Sequence, residues 1–287
     1  MTSGNQGGDV AQQPETKVDA GFDVTDDLLW QATKGHLPDR GLIRLCRSGR
    51  IGPLIEMMYA RRSMPSAYEC IASEVPFTEL IHHALNSGQI SGERSIDRAG
   101  VFPLSRHDPE SSTQEQWDQW ALHAENAAVT RGLRRSLVAG LIGALGELQD
   151  NVYEHSERPG SGLVAYAAGS GVFEFVVADA GIGVLASLSK NSEFSGLRDS
   201  GEALRMAASD GASRHNRDTG HGFGIGALFK ALAHDAGELR FRSGDHAMTI
   251  RGDRPSLTGQ VEVAQKAWLD GLIISVRCAP DNLARDA

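Results

Sequence analysis

The chain has 287 residues, of which 40% are hydrophobic and 23% are charged, and its formal net charge is -9 at pH 7. This length predicts one or two globular domains with a buried core. The acidic balance argues against nucleic-acid or anionic-membrane partners, which require a basic surface. No stretch approaches the about 18 apolar residues of a membrane span, and the N-terminus lacks the apolar core of a signal peptide, so the sequence predicts a cytoplasmic protein.

The N-terminal part is expected to comprise a tail and a helical region. Residues 1–22 are rich in Gly, Gln, Ser and Thr, which favours a disordered tail. From residue 23 to about residue 92, apolar residues recur at spacings of three and four, which predicts helices. The polar stretch that follows indicates a linker. Residues 23–112 are therefore expected to form an N-terminal helical region, which either docks a partner or packs around the rest of the chain.

Residues 113–287 are expected to form one α/β domain. A long helix runs to about His155, and two short strands follow, over 162–168 and 172–180, joined by a Gly-Ser-Gly turn. The alternation of helices with hairpins predicts a two-layer sandwich of a mixed sheet with helices on one face.

Three further patterns lie near the C-terminus. A glycine-rich loop at 220–226 runs into a helix, and residues 238–252 are typical of a hairpin with Gly244 and Asp245 at its turn. Residues 271–278 form an apolar run that predicts a buried last strand.

The predicted helix carries Glu147, Asn151 and His155 at a repeat of four residues. This spacing places a carboxylate, an amide and an imidazole on one helix face. Such a stripe fits either a binding site or a solvated surface, and the helix alone leaves both interpretations open.

A second pattern follows the apolar strand, where Asp179 precedes Gly181 and Gly183. Glycines allow the backbone to turn tightly and approach a ligand, and an aspartate at a strand end can accept a hydrogen bond from an amino group. An ordinary tight turn would have the same pattern.

The glycine-rich loop carries Gly220, His221, Gly222 and Gly224 and precedes a helix. Backbone N–H groups at a helix start attract phosphate. The loop lacks the Gly-Lys-Ser/Thr ending of a P-loop. It also lacks the βαβ setting of a dinucleotide-binding site. The alternative is a flexible glycine loop.

Together these patterns resemble the ATP-binding domain of the GHKL superfamily, which includes gyrase, histidine kinases and the heat-shock chaperone ATPase. The N box, E-x-x-x-N, matches Glu147 to Asn151, and the G1 box, D-x-G-x-G, matches Asp179 to Gly183. The G2 box matches Gly220 to Ile225, so the boxes occur in the family's order over about residues 120–280. The resemblance implies a Bergerat-type fold that binds ATP and Mg²⁺.

The resemblance also implies a role for each residue. Asn151 would bind Mg²⁺, Glu147 would act as the general base, and Asp179 would bind the adenine amino group. The glycines of the G1 and G2 boxes would approach the nucleotide and its phosphates, with positive charge from His221 and with His155 facing the same site. Residues 185–219 would form a lid over the ATP.

The N-box form, "NVYEHS", is similar to that of the stand-alone serine kinases that act as anti-sigma factors. The implied function is a regulator that phosphorylates or switches a protein partner, such as an anti-anti-sigma-like phosphoacceptor, and a homodimer is one assembly to test. A serine or threonine acceptor is favoured over histidine, because His82, His83 and His123 lack the phosphoacceptor pattern. A gyrase-type or chaperone-type ATPase clamp and a nucleotide-dependent binding module without chemistry are the alternatives. One departure is that no Thr follows Gly271 on the last strand.

Overall fold

The computed structural model describes residues 15–37, 42–90, 98–104, 113–169, 171–209, 224–232 and 234–279. Among these residues, no helix has the length and apolar character needed to cross a membrane.

A five-stranded antiparallel sheet forms the centre of the molecule, with strand order β4-β5-β6-β8-β7. Its strands are β4 (Ala99–Pro103), β5 (Leu163–Gly169), β6 (Val172–Asp179), β7 (Ala236–Asp253) and β8 (Gln260–Ala279). The short β5–β6 connection confirms the predicted first hairpin.

In the described parts of the chain, five helices pack on one face of this sheet. They are α4 (Thr113–Thr130), α5 (Arg135–His155), α6 (Gly183–Leu188), α7 (Ser200–Ala208) and α8 (Gly224–Ala231). Their apolar side chains share one core with Tyr166 of β5 and with Phe173 and Phe175 of β6. Helices packed against a sheet confirm the predicted α/β class.

The opposite face of the sheet is covered by an N-terminal unit that contains both strands and helices. Its elements are β1 (Glu15–Asp19), α1 (Phe22–Thr33), β2 (Leu42–Arg47), α2 (Gly52–Ser63), β3 (Ile71–Ser73) and α3 (Pro76–Ser87), and the three strands pair in parallel in the order β1-β2-β3. Leu163, Ala165, Val176 and Ala178 of the large sheet belong to the core of this unit. Successive residues of β5 and β6 therefore enter opposite cores, which explains their nearly continuous apolar character.

The structure corrects the purely helical prediction for residues 23–112, and it places β1 inside the predicted tail. In β2, Ile43 and Leu45 are buried while Arg44 and Cys46 are partly exposed, which is the two-residue period of a strand. Short apolar runs do not distinguish a strand from a buried helix, so pairing with distant residues decided the outcome.

The hairpin predicted over residues 238–252 is also corrected. Residues 236–253 form one strand, β7, with a register shift on each side of Gly244, whose φ is +59°. Gly244 therefore forms a β-bulge inside the strand instead of a turn between two strands. The chain reverses after β7, and β8 returns along its whole length.

A buried group of charges joins the N-terminal unit to the large sheet. Arg240 of β7 donates to Glu56 of α2 at 2.8 Å and to Asp26 of α1 at 2.6 Å. Glu56 is fully buried, and Lys266 of β8 also pairs with Asp26, at 2.7 Å. Buried charges are tolerated only when they are paired, so these contacts fix how the two parts pack.

Candidate functional site

The buried carboxylate of Asp179 forms the centre of the candidate site. Asp179 ends β6, and only 4% of its surface is exposed. Its Oδ1 accepts a hydrogen bond of 2.7 Å from the Gly181 N–H. Burial raises the pKa of this carboxyl to about 6, although hydrogen bonds from the N–H groups of Gly181 and Leu272 oppose that rise. Two carboxylate oxygens offer about four acceptor positions, so capacity for a further donor is left.

The backbone approaches so closely around Asp179 that only glycine fits at two positions. A Cβ at Gly181 would clash with the carbonyl oxygen of Ser156, at the end of α5. A Cβ at Gly271 of β8 would clash with the Asp179 carbonyl oxygen, and Gly271 has a φ of +77°. The strand end, helix α5 and β8 therefore converge on this turn without intervening side chains.

Hydroxyl groups and one carbonyl fix the turn that follows Asp179. The Ile182 N–H donates to the Ser156 carbonyl at 3.0 Å, and the Ala180 N–H donates to Ser161 Oγ at 2.9 Å. Ser243 Oγ accepts from the Val184 N–H at 3.0 Å and donates to the Gly271 carbonyl at 2.6 Å. Every one of these contacts joins residues that are distant in sequence.

The C-terminal end of α5 lies beside this turn, because Ser156, which directly follows the helix, accepts from the Ile182 N–H. Glu147 is exposed, and Asn151 and His155 are partly buried, whereas Leu148 and Val152 on the opposite side belong to the core. The structure thus brings the end of α5 and the Asp179 turn into contact. The ligand roles assigned to Glu147, Asn151 and His155 stay predictions.

The predicted phosphate loop is described only in part. Gly220, His221 and Gly222 lie outside the described residues, and Gly224 begins α8. Helix α8 packs against α5, where a Cβ at Gly140 would lie 3.1 Å from the Cβ of Ala231. The helix that follows the glycine-rich loop therefore contacts the helix that carries the predicted N box.

The first half of the predicted lid is packed into the protein core. Leu188, Leu197 and Leu204 are buried among the other apolar side chains of the helical layer. Asp199 caps α7 by accepting from the Glu202 N–H at 2.7 Å. Residues 185–209 thus contain helical segments whose apolar side chains pack into the core, unlike the expected polar cover, and residues 210–223 lie outside the described residues.

The donor groups at this site suit ATP and Mg²⁺. Asp179 offers a buried acceptor of the kind that recognises an amino group, at the point where two glycines bring backbone close together. The amide oxygen of Asn151 is a hard oxygen ligand of the type that Mg²⁺ prefers. Within the described residues, no set of three or more His, Cys, Asp or Glu side chains could hold a metal ion.

Sequence reasoning gave no role at this site to several residues that shape it, namely Tyr59, Ser156, Ser161, Ser243 and Gly271. The Tyr59 hydroxyl on α2 contacts the backbone beside Asp179. The family resemblance would place a Thr hydroxyl after Gly271, but this chain has Leu272 at that position. The structure places Ser243 of β7 there, but its two hydrogen bonds go to backbone groups. No local pattern marks these serines.

Comparisons with known proteins add little to the geometry. No family model matches the chain, and no curated protein matches it. Among solved structures, the B-subunit of the DNA gyrase from Myxococcus xanthus aligns with 50% of this chain and 38% of its own at 14% identity, with a TM-score of 0.27. This chain therefore spans less than half of the gyrase subunit. At such low similarity the alignment carries no argument about the site, and the functional assignment depends on the residues themselves.

Proposed function

We propose that residues 113–287 bind Mg²⁺–ATP and that the protein uses the nucleotide to phosphorylate, or to switch, a regulatory protein partner. The observation that carries the proposal is the buried Asp179 carboxylate, joined through the Ile182–Ser156 hydrogen bond to the end of the helix that bears Glu147 and Asn151. In this proposal the Asp179 carboxylate binds the adenine, and the polar face of α5 binds the Mg²⁺ and the phosphates.

Each side chain has a distinct task in this proposal. Asp179 accepts a hydrogen bond from the adenine amino group. The Asn151 amide oxygen is the ligand for Mg²⁺, and Glu147 removes a proton from the attacking hydroxyl as a general base. Mg²⁺ held by Asn151 would neutralise charge on the phosphates, and positioning of the reactants would supply most of the remaining catalysis. Gly220, His221 and Gly222 are proposed to contact the phosphates.

The protein acceptor is proposed to be a serine or threonine side chain. The N-box Asn151 is followed within five residues by Glu154, His155 and Ser156, and this form is similar to that of the stand-alone serine kinases. His82 and His83, on the exposed side of α3, lack the acidic and basic neighbours that a phosphoacceptor histidine carries.

The test measures ATP binding by calorimetry and transfer of the labelled γ-phosphoryl group to proteins of a cell lysate. Glu147→Gln should leave the ATP dissociation constant nearly unchanged and lower transfer by about 10²- to 10⁴-fold, the usual contribution of a general base. Glu115→Gln, an exposed glutamate on α4, is the matched control and should behave as wild type. Asn151→Ala should weaken binding only when Mg²⁺ is present.

Three outcomes would overturn parts of this proposal. Absence of ATP binding by the wild type would refute it entirely. ATP hydrolysis without any labelled partner would replace the kinase by an ATPase clamp. Binding with neither hydrolysis nor transfer would leave a nucleotide-dependent protein-binding module.

A further inference from the structure

Helix α2 of the N-terminal unit contacts the backbone that presents Asp179. Tyr59, on α2, is 2% exposed, and its hydroxyl lies 2.7 Å from the carbonyl oxygen of Ser161 and 3.2 Å from that of Ala178. Ala178 immediately precedes Asp179. Burial raises the pKa of the Tyr59 hydroxyl, so that it remains a proton donor to these carbonyls at ordinary pH.

Ser161 extends this contact to the other side of Asp179. While its carbonyl accepts from Tyr59, its Oγ accepts from the N–H of Ala180 at 2.9 Å. The residues before and after Asp179 are therefore both connected to the Tyr59 hydroxyl. The path consists of hydrogen bonds between buried or partly buried groups, which water does not easily replace.

The same helix also contacts the strand on the other side of the carboxylate. Ser63, one turn after Tyr59, lies with its Oγ 3.4 Å from Asp270 Oδ2, and Asp270 precedes Gly271. Both backbone segments that surround the Asp179 carboxylate, the end of β6 and the bulged part of β8, are thus in contact with α2.

Helix α2 is itself fixed to the sheet. The buried carboxylate of Glu174, on β6, accepts from the N–H groups of Ile51 at 2.9 Å and Gly52 at 3.1 Å, and so caps the start of the helix. In the middle of the helix, Glu56 pairs with Arg240 of β7. With both contacts made, the Tyr59 hydroxyl has a defined position relative to β6.

From these contacts we infer that Tyr59 is a positioning residue of the nucleotide site, and that the N-terminal unit forms part of that site. The inference rests on the proposed function. The Tyr59 hydroxyl keeps the Ser161 carbonyl and the end of β6 in place. It thereby also positions the Asp179 carboxylate that would face adenine. A partner that displaced α2 would accordingly weaken ATP binding, because two linked equilibria affect each other reciprocally.

The test compares Tyr59→Phe with Tyr68→Phe in the full chain. Tyr68 is a buried tyrosine of the same N-terminal core, near Arg242, so its substitution makes the same chemical change away from Asp179. Binding of ATP and of GTP is measured by calorimetry. We expect Tyr59→Phe to weaken ATP binding about five-fold, the ratio that corresponds to about 1 kcal/mol, with GTP binding unchanged. Tyr68→Phe should leave the ratio of the two affinities as in wild type.

The ratio of ATP affinity to GTP affinity distinguishes a positioning role of Tyr59 from a purely structural one, because a loss of stability alone would change both affinities by the same factor. An unchanged ATP-to-GTP ratio in a folded Tyr59→Phe protein would refute the inference and leave the proposed function intact. No ATP binding by the wild type would refute both.

If Tyr59→Phe does not fold, hydrogen exchange of the wild-type protein with and without ATP tests the inference instead. ATP should slow the exchange of amides at residues 57–63 of α2, and equal exchange with and without ATP would overturn the inference.

Discussion

The substitution Asp179→Asn tests the burial of the central carboxylate without any knowledge of the partner. Burial raises the pKa of this group from 3.8 to about 6. Between these two pH values the folded protein holds a proton that the unfolded chain releases. At about 1.4 kcal/mol for each pH unit, the ionised carboxylate costs the folded state about 3 kcal/mol at pH 7.

The raised pKa of Asp179 determines how the stability of the folded protein changes with pH. Because the folded-state pKa lies above the unfolded value, the stabilising effect of protonation is complete below about pH 3.8. It is lost as the pH rises through about 6. The uncharged amide of the Asp179→Asn variant avoids that loss, but it gives up the charge-assisted hydrogen bonds from Gly181 and Leu272, which costs about 1 kcal/mol.

We therefore expect Asp179→Asn to raise the free energy of unfolding by about 2 kcal/mol at pH 7.5, and to lower it slightly near pH 4. Urea denaturation of the nucleotide-free protein between pH 4 and pH 8 measures this difference. Asp253→Asn, an exposed carboxylate at the end of β7, serves as the control and should give a nearly constant difference. The same Asp179→Asn protein should lose ATP binding, which would show that the aspartate is retained at a cost in stability.

A difference between wild type and Asp179→Asn that stays flat from pH 4 to pH 8 would refute the reasoning. It would mean that water or a counter-ion compensates the charge of Asp179 in the folded state. A variant that is stabilised as expected and still binds ATP normally would leave the burial argument intact, but it would remove Asp179 from the adenine contact.

Two further substitutions, each with a matched control, are measured by urea denaturation. Gly271→Ala should lower the free energy of unfolding by more than about 3 kcal/mol, because its Cβ clashes with the Asp179 carbonyl oxygen at a φ of +77°. Gly143→Ala, at an open position of α5, should instead raise it by about 0.5–1 kcal/mol, and equal effects of both would contradict the packing described here. Glu56→Gln should lower the free energy of unfolding by about 3–5 kcal/mol, because the buried Arg240 loses the charge of one of its two carboxylate partners. Glu262→Gln, in an exposed pair with Arg251, should cost under about 1 kcal/mol, and a comparable loss in both would show that burial does not govern these pairs.

The contacts of α2 bear on the proposed function. With nucleotide bound at the Asp179 turn as proposed, an N-terminal unit that covers one face of the sheet and contacts that turn would couple the two sites without a separate hinge. Ligands of the N-terminal unit should therefore change nucleotide affinity, and nucleotide should change their affinity by the same factor. Calorimetric titration of a partner in the presence and absence of ATP would measure that factor.

Local patterns in the sequence correctly predicted the elements whose signal spans a few neighbouring residues. The period of α5 separates Leu148 and Val152 from Glu147 and Asn151, and the apolar run of β6 ends at Asp179, as the structure shows. The glycines after Asp179 predicted a tight turn, and Gly181 lies where any larger residue would meet the carbonyl of Ser156. These features depend on residues within a few positions of one another, and so a helical or strand period reveals them.

The remaining features depend on pairing between distant residues, so they became visible only in the folded chain. The same short apolar runs suit a helix or a strand, and β2 became a strand through its parallel neighbours β1 and β3. Gly244 became a bulge and not a turn because β8 pairs along the whole of β7. Tyr59, Ser161 and Gly271 meet around Asp179 although up to 212 positions separate them, from 59 to 271. Contacts of this kind leave no periodic trace in a single sequence, since each is set by packing between whole layers of the fold.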